Sequence, residues 1–468
     1  MMNGSRLAPR RERIGDVVTR NIGGVRLDGA MVNQFKPSRA GLLDETDRVL
    51  LEKRRKVLGD LYPLFYDHPV HIVRAEGSRI YDAQGREYLD VYNNVPSVGH
   101  ANRRVAEAVF AQMTTMNTHT RYLQDGIVQY SQRFLGTFPG HLDHVIYTNS
   151  GSEANDLGIR IAQGAARRTG VIVTRNAYHG TTQLMSGLSP ENGSKMPLSP
   201  FVRLVDPPDA YRLGAENAAA AFAAEVERAI WDLKRYGMGT AALLIDSIMS
   251  TDGIFTDPAG LLDPAFRAVR EAGGFVIADE VQPGMGRTGE HMWGFQRHTA
   301  EVDMVTGGKP LANGMPMGCL VLGSHLSNAF ASENRYFNTF GGNPATIAAA
   351  DAVLSEIEDR DLVANAARVG GQLLDGLRAL AQKFPVIGDV RGAGLFVGVE
   401  IVADSVTKEP DGELAHLLVN SLREEGVLIS AVGPWGQVLK VRPPLVFTDT
   451  DAAAFLRVFE DVLQSVSE

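Results

Sequence analysis

The 468-residue sequence has a single cysteine, Cys319. One thiol can form neither a disulfide within the chain nor a zinc site made of cysteines. We also expect no other metal site. The net charge is −9, so acidic residues outnumber basic ones. A nucleic-acid-binding surface needs an excess of basic residues, which this chain lacks. No apolar run approaches the roughly 20 residues that a membrane-spanning helix needs. We therefore expect no nucleic acid and no membrane among the partners.

The first residues are rich in arginine, but no apolar stretch follows them as it would in a secretory signal. Glu12 and Asp16 lie within this segment, and acidic residues are untypical of organellar transit peptides. Hydrophobic residues make up 44% and charged residues 22% of the chain, as in ordinary globular proteins. These features together predict a cytoplasmic protein.

The pattern of apolar residues divides the chain into four regions. Residues 1–57 are a polar extension that ends in a charged helix. Residues 58–101 alternate apolar and polar side chains around the turn DAQG, which predicts a small hairpin-like sheet. In residues 102–345 short apolar runs alternate with helices, the pattern of buried parallel strands in an α/β domain. Residues 346–468 favour a smaller α+β domain, to which residues 58–101 add their sheet.

The motif YTNSGSEAN combines a strand end, three small residues and a helix start. Ser150, Gly151 and Ser152 turn the chain, and the helix begins near Glu153. Unpaired N–H groups and the positive end of the helix dipole favour a phosphate at this position. A serine-capped helix without a ligand is the alternative interpretation.

Two further strands end in residues that suit a flat, charged cofactor. Tyr178 and His179 follow the strand VIVT, where Tyr178 either stacks on a ring in the crevice or fills the core. Asp279 ends the strand FVIAD, and a buried carboxylate requires a cation. That cation is either a protonated pyridine nitrogen or Arg287.

Lys309 lies in the small and apolar stretch TGGKPLANG. Desolvation lowers the pKa of an amine, which suits a nucleophile, whereas a lysine extended from a surface loop is the alternative. A phosphate cup, a stacking aromatic, a buried acid and a desolvated amine occur in the order that a pyridoxal 5′-phosphate site needs. In such a site Lys309 holds the cofactor aldehyde as a Schiff base, and Asp279 keeps the pyridine nitrogen protonated.

At this point the sequence resembles the class III (ornithine/ω-type) aminotransferases of fold type I over about residues 70–465. The motifs SGSEAN, AYHG, DEVQ with GRTG, GGKP and YFNTFGGNP occur in the family's order and spacing. The resemblance implies an α/β fold with a mostly parallel central sheet wrapped by helices, plus a smaller α+β domain built from both ends of the chain. It also implies a homodimer with shared active sites, or a tetramer of two dimers.

The resemblance assigns roles to individual residues. Gly151 and Ser152 form the phosphate cup, beside Ser150. Tyr178 stacks on the ring, with His179 next to it. Val281 packs on the opposite ring face, and Gln282 reaches the ring hydroxyl. Asp279 pairs with the pyridine nitrogen, Lys309 forms the Schiff base, and Thr339 reaches the phosphate of the neighbouring subunit.

The sequence departs from the family in the residues expected to bind substrate. Lys440 stands where an arginine usually binds carboxylates, and Arg442 follows two residues later on the same strand face. Asp246 replaces a common glutamate, and a structural pairing of Arg442 with Asp246 or with the C-terminal domain is the alternative to substrate binding. Pro283 and Met285 also replace common residues, and change the pocket lining more than the mechanism.

One branch of the family consists of phospho-lyases that act on ethanolamine phosphate or phosphohydroxylysine. This chain resembles them in YNNVPSVGH, NTHTRYL and the ending KVRPP. Arg121, Lys440 and Arg442 would then suit a phosphate. The first prediction is nevertheless a ping-pong aminotransferase that passes nitrogen from an amine donor to a keto acid or aldehyde through Lys309, and the phospho-lyase is the alternative.

Overall fold

The computed structural model describes residues 31–193, 195–299 and 301–467. Residues 1–30 of the predicted extension lie outside the described residues. The predicted charged helix is α1 (Glu45–Leu58), and its cap Asp44 accepts a hydrogen bond from the backbone N of Asp47 at 2.9 Å. The predicted hairpin-like sheet follows as β1 (Ile72–Glu76), β2 (Arg79–Asp82) and β3 (Glu87–Asp90).

The central part of the chain alternates strands and helices. Its elements are α2 (Arg103–Thr115), α3 (Asp125–Leu135), β4 (His144–Thr148), α4 (Gly151–Ala166), β5 (Gly170–Thr174), α5 (Gln183–Ser186), β6 (Val202–Val205), α6 (Ala210–Leu213), α7 (Ala215–Arg235), β7 (Thr240–Asp246), α8 (Asp263–Glu271), β8 (Phe275–Asp279), β9 (Met304–Gly307), β10 (Gly318–Leu322) and α9 (Ser324–Glu333).

Seven of the described strands form one sheet in the order β4-β10-β9-β8-β7-β5-β6. Strand β10 is antiparallel to both of its neighbours, and the other neighbouring pairs are parallel. All five residues of β5 are buried, which explains their continuous apolar run. The mostly parallel central sheet predicted from the sequence is confirmed.

The C-terminal part contributes to two smaller sheets. Its elements are α10 (Pro344–Asp359), α11 (Leu362–Lys383), β11 (Ile387–Ala393), β12 (Phe396–Asp404), β13 (Glu409–Pro410), α12 (Gly412–Glu424), β14 (Val427–Leu428), β15 (Ser430–Val432), β16 (Val438–Val441) and α13 (Asp449–Ser467). Strands β11-β12-β16-β15 form one sheet, with β13 paired to β12.

Strand β14 leaves that sheet and joins the N-terminal one, giving the order β1-β2-β3-β14. It runs parallel to β3, with Val427 opposite Leu89. Both ends of the chain therefore build one sheet. The predicted domain boundaries, at residues 57, 101 and 345, stay predictions.

Strands β4, β5, β7, β8 and β9 run in one direction, so their carboxyl ends meet at one edge of the central sheet. Crevices at this edge are where open α/β sheets bind ligands. Helix α4 begins there, three residues after β4 ends. Within the described part of the chain, none of the helices is both long and apolar enough to cross a bilayer.

Candidate active site

A cavity of about 280 Å³ opens at the carboxyl ends of the central strands. The segments that follow β4, β5, β8 and β9 bring together residues far apart in the sequence. The sequence-predicted residues that line it are Ser150, Gly151, Ser152, Tyr178, His179, Asp279, Val281, Gln282 and Lys309.

The start of helix α4 forms one wall of the cavity. Ser150 caps the helix, because its Oγ accepts a hydrogen bond from the N of Glu153 at 3.2 Å. The Oγ of Ser152 accepts one from the N of Thr181 at 3.1 Å. A Cβ on Gly151 would lie 2.6 Å from Cγ2 of Val281, so only glycine leaves this helix end open. The wall is thus a capped helix that is also accessible to an anion.

Asp279 is buried and held by three hydrogen-bonding groups. Its Oδ2 accepts from Nδ2 of Asn155 at 2.8 Å and lies 2.7 Å from Nδ1 of His179. Its Oδ1 accepts from the N of Val281 at 3.2 Å. Arg287 instead donates to the carbonyl oxygens of Leu395 and Pro443, so the proposed Asp279–Arg287 salt bridge is wrong.

Asn155 is the residue that the sequence analysis missed. Besides Asp279, its Nδ2 bonds the carbonyl oxygen of His179 at 2.8 Å, and its Oδ1 accepts from Oγ1 of Thr306 at 2.6 Å. Asn155 follows Gly151 by four residues, so both lie on one face of helix α4. The four-residue spacing from Gly151 was the sequence signal that could have identified Asn155 as part of the site.

Lys309 follows β9, and its exposed side chain lines the cavity. Desolvation lowers the pKa of Lys309, and the nearby charge of Arg442 acts in the same direction. The carboxylates of Asp279 and Asp246 oppose this shift. The amine is thus easier to deprotonate than an ordinary lysine, as predicted for a nucleophile or base.

Asp246 ends β7 beside Asp279, since the two residues are opposite each other in adjacent strands. Burial raises the pKa of Asp246, as does the negative charge of Asp279. The backbone N–H groups of Ile248 and Ser250 donate to its carboxylate at 3.0 and 3.1 Å. Two carboxyl groups therefore line the cavity at one edge of the sheet.

Arg442 and Lys440 lie behind Gln282, and neither lines the cavity. Nε of Arg442 donates to the carbonyl oxygen of Tyr92 at 3.0 Å, and its Nη1 donates to Oε1 of Gln282. The partners of Arg442 among the described residues do not include Asp246, the alternative considered from the sequence. Substrate contact by Arg442 and Lys440 stays a prediction.

Arg121 and Thr339 are exposed and lie outside the cavity lining. The Arg121 guanidinium lies 3.7 Å from the ring centre of Phe337. Thr339 follows Asn338, whose Nδ2 donates to Oε2 of Glu153 at 2.8 Å, in the first turn of helix α4. The loop of Thr339 is therefore anchored to the cavity wall, and the predicted reach of Thr339 to a neighbouring subunit is untested.

The cavity suits the cofactor predicted from the sequence. Its helix end has the N–H groups and dipole that would suit a phosphate, Tyr178 and Val281 would offer surfaces for a ring, and Lys309 would offer an amine to an aldehyde. Nε2 of His179 is buried without a hydrogen-bond partner among the described residues. A Cβ on Gly308 would lie 3.2 Å from the Val281 side chain, so the packing beside Lys309 is also tight. The residues present therefore fit pyridoxal 5′-phosphate.

Comparison with known proteins gives a consistent result. The family described as Aminotransferase class-III matches residues 65–463. An alanine–glyoxylate aminotransferase 2-like protein of Drosophila melanogaster is 38% identical over 91% of this chain and 88% of its own length. An ethanolamine-phosphate phospho-lyase homolog of Caenorhabditis elegans is 34% identical, over 88% of this chain and 93% of its own. A solved phospholyase from Arthrobacter, in complex with phosphoethanolamine, is 42% identical with a TM-score of 0.86 and covers 89% of this chain and 99% of that one.

Proposed function

Because this chain belongs to the class III aminotransferase family, whose members depend on pyridoxal 5′-phosphate, we propose that it binds this cofactor and transfers amino groups. The donor is a small amine or amino acid, and the acceptor is a keto acid or aldehyde. The observation that carries the proposal is Lys309, an amine with a lowered pKa that faces the same cavity as the buried carboxylate of Asp279.

Some residues of the cavity would hold the cofactor, and Lys309 would transfer the proton. The N-terminus of helix α4 holds the phosphate, and Tyr178 and Val281 flank the ring. When bound, the cofactor supplies an electron sink for the carbon next to the substrate nitrogen. The neutral Lys309 amine takes the proton from that carbon and returns it to a neighbouring position. Asn155 and His179 hold the Asp279 carboxylate in the cavity, where it would pair with the ring nitrogen.

Phosphate elimination is the second candidate, and two observations favour it. The phospholyase from Arthrobacter shares 42% of its residues with this chain. Lys440 also replaces the arginine expected to bind carboxylates in aminotransferases. In an elimination Lys309 would remove the same proton, a carbon–carbon double bond would form as the carbon–oxygen bond to phosphate breaks, phosphate would leave, and no keto acid would be consumed.

One assay separates the two candidates. Purified enzyme receives either an amine with pyruvate, with alanine measured, or ethanolamine phosphate alone, with free phosphate measured. Alanine formation supports amino transfer, and phosphate release without a keto acid refutes it in favour of elimination.

A Lys309→Ala variant serves both arms of that assay. We expect it to lose either activity together with the absorbance near ~410 nm that the bound cofactor gives the wild type. Retention of activity and colour by this variant would contradict the role of Lys309. Wild-type protein that stays colourless with added cofactor would contradict the whole proposal.

The proposed enzyme is a homodimer, or a tetramer of two dimers. Large apolar side chains are exposed near the cavity, among them Leu123 and Phe340, the latter with 69% of its surface accessible. The loop of Leu123 contacts the loop of Phe340 through His119 and Phe337, whose ring centres are 5.9 Å apart. Such an apolar patch fits an interface between copies. Phe340→Lys should lower the mass that sedimentation measures, whereas a wild-type monomer would refute the dimer.

A further inference from the structure

Gln282 lies between the cavity and two buried cations. It lines the cavity, whereas Lys440 and Arg442 are 3% and 4% exposed and do not. Nζ of Lys440 lies 3.1 Å from Oε1 of Gln282, and Nη1 of Arg442 donates to the same oxygen. One amide oxygen therefore accepts two hydrogen bonds, and the one from the Arg442 guanidinium is charge-assisted.

These two partners fix which way the amide is turned. The guanidinium of Arg442 is a donor only, so the Gln282 atom that faces it must be the carbonyl oxygen. The amide nitrogen Nε2 is left on the other side and has no hydrogen-bond partner among the described residues. Gln282 consequently offers the cavity a donor, and a group that meets it there must be an acceptor.

Each cation is itself held by a second contact. Nζ of Lys440 also donates to the carbonyl oxygen of Ser250 at 3.0 Å. Nε of Arg442 donates to the carbonyl oxygen of Tyr92 at 3.0 Å, and its guanidinium lies 4.8 Å from the Tyr92 ring centre. Neither side chain can turn into the cavity without breaking these contacts. These contacts fix the positions of Lys440 and Arg442 beside Gln282.

We propose that Lys440 and Arg442 are positioning residues that lock the Gln282 amide, so that Nε2 is a permanent donor to an anionic oxygen on the ring of the bound cofactor. The inference rests on the proposed function, because it requires that cofactor. It differs from the prediction that the two cations contact substrate directly, since here they act through Gln282. This chain has Lys440 where the family usually has an arginine. A lysine at this position is compatible with the positioning role, because it also donates a hydrogen bond to Gln282.

The spectrum of the bound cofactor reports on this lock. A donor to an anionic oxygen lowers the affinity of that oxygen for a proton. Lys440→Met combined with Arg442→Met removes both donors to Oε1, so the amide can turn and the carbonyl of Gln282 can face the ring oxygen and favour its protonated form. We therefore expect the midpoint of the absorbance change with pH to rise by about one unit, the size of a charged hydrogen bond. Gln282→Met should raise it by a similar amount.

The triple variant distinguishes the lock from a simple charge effect. Combining Lys440→Met and Arg442→Met with Gln282→Met should give no further rise, because the first two changes act only through Gln282. Additive shifts would mean that the charges of Lys440 and Arg442 act through space, and an unchanged midpoint with a raised KM would mean direct substrate contact; each result refutes the lock.

Controls keep the test interpretable. Lys383→Met removes an exposed lysine that pairs with Glu460 at 2.7 Å, and it should leave the midpoint unchanged. If the variant with both Lys440→Met and Arg442→Met does not fold, Gln282→Met alone still tests the lock, because an unchanged midpoint would refute it. Colourless wild-type protein would refute the proposed function together with the lock, whereas coloured protein with additive shifts refutes the lock alone.

Discussion

Asn155→Ala tests whether the Asp279 carboxylate depends on its buried support. The change removes the donor to Asp279, the donor to the carbonyl oxygen of His179, and the acceptor for Thr306. A hydrogen bond to a charged group contributes about 1.5–3 kcal/mol and a neutral one about 1 kcal/mol. We therefore expect the free energy of unfolding to fall by about 3–5 kcal/mol.

The assay is urea unfolding followed by circular dichroism, with Gln163→Ala as the matched control. Gln163 lies on the same helix and makes one exposed hydrogen bond, to the carbonyl oxygen of Thr169 at 2.9 Å. The control should stay within about 1 kcal/mol of the wild type. The cofactor should also dissociate faster from Asn155→Ala, since Asp279 is no longer held in place. If both variants unfold alike, the support assigned to Asn155 is wrong.

Two further predictions use a glycine and a buried histidine. Gly151→Ala should weaken binding of the cofactor by at least about tenfold, because its Cβ would meet Val281, whereas Gly164→Ala on the open face of the same helix should be neutral or stabilise by about 0.5–1 kcal/mol. Burial lowers the pKa of His298 from 6.5 to about 4. This group stabilises the fold above pH 6.5, and the contribution, about 3 kcal/mol, is lost as the pH falls through 4. His298→Gln should reduce this loss of stability in acid, and the exposed His291→Gln should not; equal pH profiles would contradict the assignment.

The backbone of the site was predictable, because strand ends and helix starts leave local patterns. The small residues of SGS marked the start of helix α4, and the apolar run before Asp279 marked β8. The hydrogen-bond partners of individual side chains were harder to predict from the sequence. Asp279 and Asn155 are 124 residues apart, and their contact depends on how α4 packs on the sheet. Arg287 is much closer in sequence to Asp279, yet its guanidinium turns to other backbone carbonyls.

The hydrogen-bond partners of Lys440 and Arg442 were likewise not predictable from the sequence. The spacing of Lys440 and Arg442 predicted that they share a strand face, whereas β16 ends at Val441, one residue before Arg442. The spacing held no information on Gln282, which lies between them and the cavity. Only the tertiary structure shows that position.

The pairing of β14 with β3 has a consequence for how the chain is made. Val427 and Leu89 are opposite each other but 338 residues apart (427 − 89). At about 5–20 residues per second, a ribosome needs on the order of tens of seconds to deliver β14 after β3 has emerged. All seven strands of the central sheet are synthesised within that interval. Throughout it β3 presents an unpaired edge, the kind of surface that recruits other strands. Chains interrupted before Val427 would therefore keep an unpaired edge at β3, and we expect them to aggregate more readily than complete chains.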